Sequence, residues 1–160
     1  MIKSIDEQIA AMERVYPKLR VIERLDRACV WRGDIRPYHK TYHLEIRYRV
    51  PYAVEAFSVI QVQPWVLVRS PILESHPEYD EGPIPHTYVN EAESDYPFLC
   101  LFDPYVPEWT VEDFIAETTV PWTERWLINY EFWLATGDWC GGGRHIDQNE
   151  AKRIAAAGSG

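Results

Sequence analysis

The sequence predicts an α+β domain: an amphipathic helix, a run of antiparallel strands, a long proline-rich connection and a helical C-terminal third. Three observations carry this expectation. Ser4 opens a helix-start signature, Lys40 to Val50 alternates apolar and polar residues strictly by two, and an aromatic stripe at helical spacing runs between Pro121 and Gly137. The 160 residues are 46% apolar with seven Trp and ten Tyr, enough to bury a core without staples.

Ser4-Ile5-Asp6-Glu7 has the spacing at which a hydroxyl and a carboxylate each satisfy an orphan amide of a helix start. Ile5, Ile9, Met12 and Tyr16 follow on one face, and Pro17 ends the helix after about three turns. A less regular strand is expected between Leu19 and Trp31, with Gly33-Asp34 as the turn after it. Tyr42, Leu44, Ile46, Tyr48 and Val50 then alternate with Thr41, His43, Glu45, Arg47 and Arg49, the pattern of a half-buried antiparallel strand. Phe57–Gln63 and Trp65–Arg69 read as two more strands, completing a four-stranded antiparallel meander.

From Ser70 to Leu99, prolines 71, 77, 83, 85 and 97 interrupt any regular element, which predicts a long loop. Its tyrosines and its exit through Phe98-Leu99-Cys100-Leu101-Phe102 favour an ordered one. Thr110-Val111-Glu112-Asp113 resembles a second capped helix start. Pro121 suits the first turn of a longer helix and Gly137 its stop. Trp122, Trp126, Tyr130 and Trp133 line one side of that helix as core or partner surface. The Ala-Gly-Ser ending of the chain reads as a linker, so one domain over 1–150 and a flexible tail over 151–160 are expected.

The net charge of −9 disfavours nucleic-acid binding, and the arginines gathered in the first third read as solvated sheet-face residues. No apolar run reaches the roughly 18–20 residues of a membrane helix, and the N-terminal residues lack a signal-peptide core. A cytoplasmic location is the expectation. Three cysteines do not make a disulfide framework, leaving thiols to explain.

Among them Cys100 is the candidate nucleophile. It follows a long loop and sits in a short apolar run that would anchor the backbone around a partly exposed thiol. The alternative is a buried inert cysteine. Cys29 falls in a strand pattern and reads as core. Cys140 precedes a glycine run that no strand leads into, so it lacks the context of a phosphate-binding loop. The five histidines show no metal-ligand spacing, and no GxSxG hydrolase motif occurs, so neither a metal nor a cofactor is expected.

The order of elements, with Pro64-Trp65-Val66-Leu67-Val68-Arg69-Ser70-Pro71 before the proline-rich stretch and Trp109 after Cys100, resembles a ubiquitin-conjugating enzyme over nearly the whole chain. Pro85-His86-Thr87-Tyr88, the Cys100 run, Thr119-Val120-Pro121-Trp122, Trp126-Leu127, Tyr130 through Gly137, and Gly141-Gly142-Gly143 with His145 look like the bacterial branch in short type II CBASS antiphage operons. The resemblance implies a thioester between Cys100 and the C-terminal glycine of a cGAS/DncV-like nucleotidyltransferase, priming or regulating cyclic-nucleotide synthesis. It also implies a separate activating enzyme, since no ATP-binding motif is present. Trp122, Trp126 and Tyr130 are the expected partner contacts, and His86 is expected either to orient the thiol region or to cap the loop. The chain departs from the wider family in lacking His-Pro-Asn before the cysteine, where Asn90-Glu91-Ala92-Glu93-Ser94-Asp95 stands instead. Without that oxyanion donor, transfer to lysine is expected to be slow. A non-catalytic binding module on the same fold is the alternative.

Overall fold

Ser4 opens the first helix as its spacing predicts. Its hydroxyl accepts from the Glu7 amide, and its own amide donates to the Glu7 carboxylate at 2.8 Å. The computed structural model describes residues 1–52, 62–76, 84–103, 105–106 and 108–141. Among these lie two α-helices, α1 (Ile5–Val15) and α2 (Thr119–Thr136), and one sheet. Its strands are β1 (Arg20–Arg24), β2 (Ala28–Ile35), β3 (Tyr42–Arg49), β4 (Trp65–Ser70), β5 (Thr87–Tyr88) and β6 (Phe98–Leu99). The strand order is β1-β2-β3-β4-β6-β5, with every pair antiparallel.

The α+β class is as expected, and the details correct the sequence reading in several places. The single strand expected from Leu19 to Trp31 is two strands, with the reversal at residues 25–27, where the Leu25 amide meets the Ala28 carbonyl at 2.8 Å. Gly33-Asp34 is therefore not a turn but the middle of β2. The glycine is needed there because a Cβ would stand 2.0 Å from the Lys18 carbonyl oxygen. The four-stranded meander differs from the expected one: β1 to β4 are antiparallel neighbours in chain order, but two of them come from the stretch read as one strand, and the sheet has six strands because the proline-rich stretch contributes β5 and β6. Of the expected strand Phe57–Gln63, residues 57–61 lie outside the described residues, and Val62 and Gln63 are not in a strand.

Tyr42, Leu44, Ile46 and Tyr48 of β3 are buried, as their alternation predicts, and share the core with Trp31, Val66, Val68 and residues of both helices. Residues 110–118 form turns rather than the expected helix. Asp113 does reach back to the Thr110 amide at 2.7 Å. The Ile115 amide, however, goes to the side chain of fully buried Gln8, whose own amide group donates to the Asp113 carbonyl. α1 thus takes the donor that a continuing helix would have used. Gly137, with φ of 81°, closes α2 in the left-handed conformation, its amide on the Trp133 carbonyl.

The outer face of the sheet is not simply solvated. Glu45 is 2% exposed, and Arg32 at 2.7 Å, Arg47 and Arg69 surround its carboxylate. Arg69 and Arg47 also hold Glu93 at 2.8 Å each, and Arg69 lies 4.7 Å from the Tyr96 ring. Burial pushes the Glu45 carboxyl up, but the arginines outweigh it and leave it below its ordinary range. Arg69 and Arg47 bring Glu93 down to about 2. The network pins residues 90–97 across the outer face, and β6 begins where that segment ends.

Two outcomes follow from this packing. Gly33→Ala drives a methyl group into backbone that cannot yield, so urea unfolding should show a loss of about 3 kcal/mol. The contribution of Glu93 is complete above its ordinary value near 4.5 and is lost as pH falls towards 2. Glu93→Gln should therefore flatten the acid limb of a stability-versus-pH curve between those values, and an unchanged limb would count against the network.

Candidate active site

β5 and β6 form a short pair at the edge of the sheet, with Thr87 opposite Leu99 and Tyr88 opposite Phe98. One step beyond this register the Cys100 amide donates to the His86 carbonyl at 2.9 Å, so Cys100 lies across from His86. The Trp126 indole nitrogen donates to the same oxygen, also at 2.9 Å. The loop, the strand exit and α2 therefore meet on one carbonyl group. His86 takes φ of 53°, in the left-handed region that histidine enters more readily than most residues. Thr87 holds the approach to it by donating to the Ile84 carbonyl at 2.8 Å.

The partly exposed thiol that the apolar run suggests is not what the structure shows: Cys100 is buried, at 6% exposure, because it packs with Trp65, Leu67, Tyr88 and Phe98. Its thiol donates to the Phe102 carbonyl at 3.3 Å. Burial first, and then the neighbouring Cys100 sulfur, push the Tyr88 hydroxyl far above the ordinary tyrosine range.

Cys100 and His86 both line an open cleft of about 640 Å³. Phe102, Trp122, Trp126 and Trp139 form its apolar wall, with Phe102 and Trp122 edge to face at 5.6 Å and Trp126 and Trp139 at 5.2 Å. The His86 ring lies 5.1 Å from Trp139. Trp122, Arg125, Trp126 and Asn129 recur at helical spacing, so one face of α2 forms that side of the cleft. Asp103 and Glu108 add carboxylates at the rim.

The structure thus gathers Cys100, His86, Trp122 and Trp126 at one place. Tyr130 is not among them. It is 3% exposed, stacks on Trp126 at 5.5 Å, and exchanges hydrogen bonds with the Glu74 backbone. Arg125 and Asn129 were legible in principle from their spacing with Trp122 and Trp126. Trp139 was not, because it joins the cleft only through the chain reversal after Gly137.

The other two thiols sit differently. Cys29 is buried in the core, and burial pushes its thiol up to about 11. Cys140 is exposed. Gly142, Gly143 and His145, part of the sequence resemblance, lie outside the described residues. Among the described residues no group of three or more His, Cys, Asp or Glu could hold a metal ion, and no helix is long and apolar enough to cross a membrane.

In comparisons with known proteins, the family model for Type II CBASS E2 protein matches residues 8–146, a span from within α1 past the last described residue of the cleft. No curated protein matches the chain. The geometry itself generates one outcome. Trp126→Phe keeps an aromatic ring but deletes the donor to the His86 carbonyl, so thermal or urea unfolding should register a loss of about 1 kcal/mol.

Proposed function

The chain belongs to the Type II CBASS E2 protein family, and on that premise we propose that it carries an acyl group on Cys100 as a step in CBASS antiphage defence. In this reading residues 1–150 form a single ubiquitin-conjugating-enzyme-like domain, and the tail expected over 151–160 lies outside the described residues. The partner is a cGAS/DncV-like nucleotidyltransferase, whose C-terminal glycine becomes the acyl group, and the outcome is priming or regulation of its cyclic-nucleotide synthesis.

The observation that carries the reading is the position of Cys100 on the wall of an open, aromatic cleft. A narrow chain end fits such a groove, with Arg125 and Asn129 offering donors to its carbonyl groups. The chemistry needs an activated carboxyl group, a thioester or an acyl adenylate delivered by a separate activating protein. Cys100 gives up its proton to solvent, the thiolate attacks the carbonyl carbon, and a C–S bond forms. The bond to the leaving thiolate or AMP then breaks, and the leaving group departs with the electron pair. His86, tied through its carbonyl to both Cys100 and Trp126, orients the thiol segment. Of the four lysines, Lys3, Lys18 and Lys40 are not among the residues lining the cleft, and Lys152 lies outside the described residues.

A non-catalytic docking module has its own support, since only 6% of Cys100 is exposed and Ile128 and Phe132 stand exposed on the outer side of α2. Intact mass of the protein co-expressed with a cognate nucleotidyltransferase separates the two readings. The carrier predicts an adduct equal to both chains less one water, released by hydroxylamine and absent in Cys100→Ala. An equally abundant complex in Cys100→Ala, with no covalent species in the parent, would leave the docking module standing.

A further inference from the structure

Resting on the reading of Cys100 as the reactive thiol, we propose that the Tyr88 hydroxyl is the hydrogen-bond donor that receives the Cys100 thiolate. Tyr88 is then a catalytic residue of this site.

The register places the two side chains side by side. Tyr88 pairs with Phe98 across β5 and β6, so Tyr88 and Cys100 share one face as diagonal neighbours, a span that an aromatic side chain crosses. Both belong to one buried cluster, in which Trp65 stands edge to face against the Tyr88 ring at 5.6 Å and fixes its direction. Tyr88 is 1% exposed, and its hydroxyl has no hydrogen-bond partner among the described residues. The Cys100 sulfur is a neighbouring group of the same cluster that acts on it.

An enclosed hydroxyl without an acceptor is unfavourable, and here the deficit depends on the protonation state of its neighbour. In the neutral form the thiol turns its hydrogen to the Phe102 carbonyl, and a neutral sulfur accepts only weakly. Once the proton leaves, the sulfur becomes an anionic acceptor and the waiting hydroxyl gains a charge-assisted bond. Only the thiolate satisfies Tyr88, so the pair favours ionisation. The same bond steadies the sulfur again when an acyl group departs. The other titratable groups nearby are Asp103 and Tyr105, which act on the hydroxyl, and His86, Glu108 and Arg125 around the cleft. Of these, the Asp103 and Glu108 carboxylates oppose a thiolate and Arg125 favours one.

The test is the pH profile of Cys100 alkylation by iodoacetamide, read by peptide mass in a Cys140→Ser background so that the exposed thiol does not compete. Tyr88→Phe should slow alkylation at pH 7 about tenfold and move the midpoint of the profile about one pH unit higher. Thermal stability should be unchanged or raised, because the substitution removes a hydroxyl that the neutral thiol does not satisfy. The ultraviolet absorbance of the thiolate, titrated in the same two proteins, gives the midpoint without a reagent. Superimposable profiles would overturn the assignment, as would a lower melting temperature with no change in midpoint. Neither measurement needs the partner. A shifted profile without any acyl adduct would sink the carrier reading alone, and an adduct with an unshifted profile would sink Tyr88 alone.

Discussion

A buried carboxylate sets the position of everything near Cys100. Glu45 lies in the middle of β3 on the face away from the helices, where a lone charge at 2% exposure would be strongly unfavourable. Three arginines from three adjacent strands make it tolerable, and they do so with donors to spare. Arg47 and Arg69 use the remainder on Glu93, which belongs to the connection between β5 and β6. Asn90 then closes that connection, accepting from the Glu93 amide and donating to the Tyr96 carbonyl. A charge buried in one strand thereby fixes a loop more than forty positions further along the chain.

The second anchor is the His86 carbonyl. A strand edge normally leaves backbone groups unpaired, and β5 is an edge. Just before β5, the His86 carbonyl points inward instead and takes two donors, the Cys100 amide just past β6 and the Trp126 indole from α2. The helix is therefore registered against the strand exit by a directional bond rather than by apolar packing alone. Because α2 presents Trp122, Arg125, Trp126 and Asn129 on this side, the same bond decides which side chains face the thiol. The two anchors act on opposite flanks of β6, and Cys100 is the residue directly after it.

How much of this is legible in the sequence depends on how local each feature is. The capping box at Ser4, the alternation of β3, the stop at Gly137 and the stripe of α2 rest on contacts within a few residues, and the structure shows each of them. Gly33 misled because glycine signals a turn and a close backbone approach equally well. β5 and β6 escaped because two-residue strands show no period, and prolines around them pointed to a loop. The Thr110 signature failed because distant Gln8 claimed the Ile115 amide. Of the site, Cys100 stood out by its apolar flanks and His86 by its motif. Tyr88 drew no separate notice, since an orphaned hydroxyl is a property of its surroundings and not of its spacing.

The three cysteines show what such surroundings do to one functional group. Cys29 faces inward from β2, where burial pushes the thiol up to about 11 and leaves almost no nucleophile at neutral pH. Cys140 lies at the other extreme, exposed beyond the end of α2, where a thioester would stand open to water. Cys100 has a sliver of exposure on a cleft wall, an apolar cluster behind it and a hydroxyl beside it. On the proposed chemistry that burial, deep but short of complete, is a requirement rather than an obstacle. An acyl carrier must admit a chain end along one direction while keeping water from the carbonyl carbon, and a site that excludes water also strengthens the hydrogen bonds within it. A thiol buried a little deeper could not be reached, and one exposed a little more would lose its load to hydrolysis.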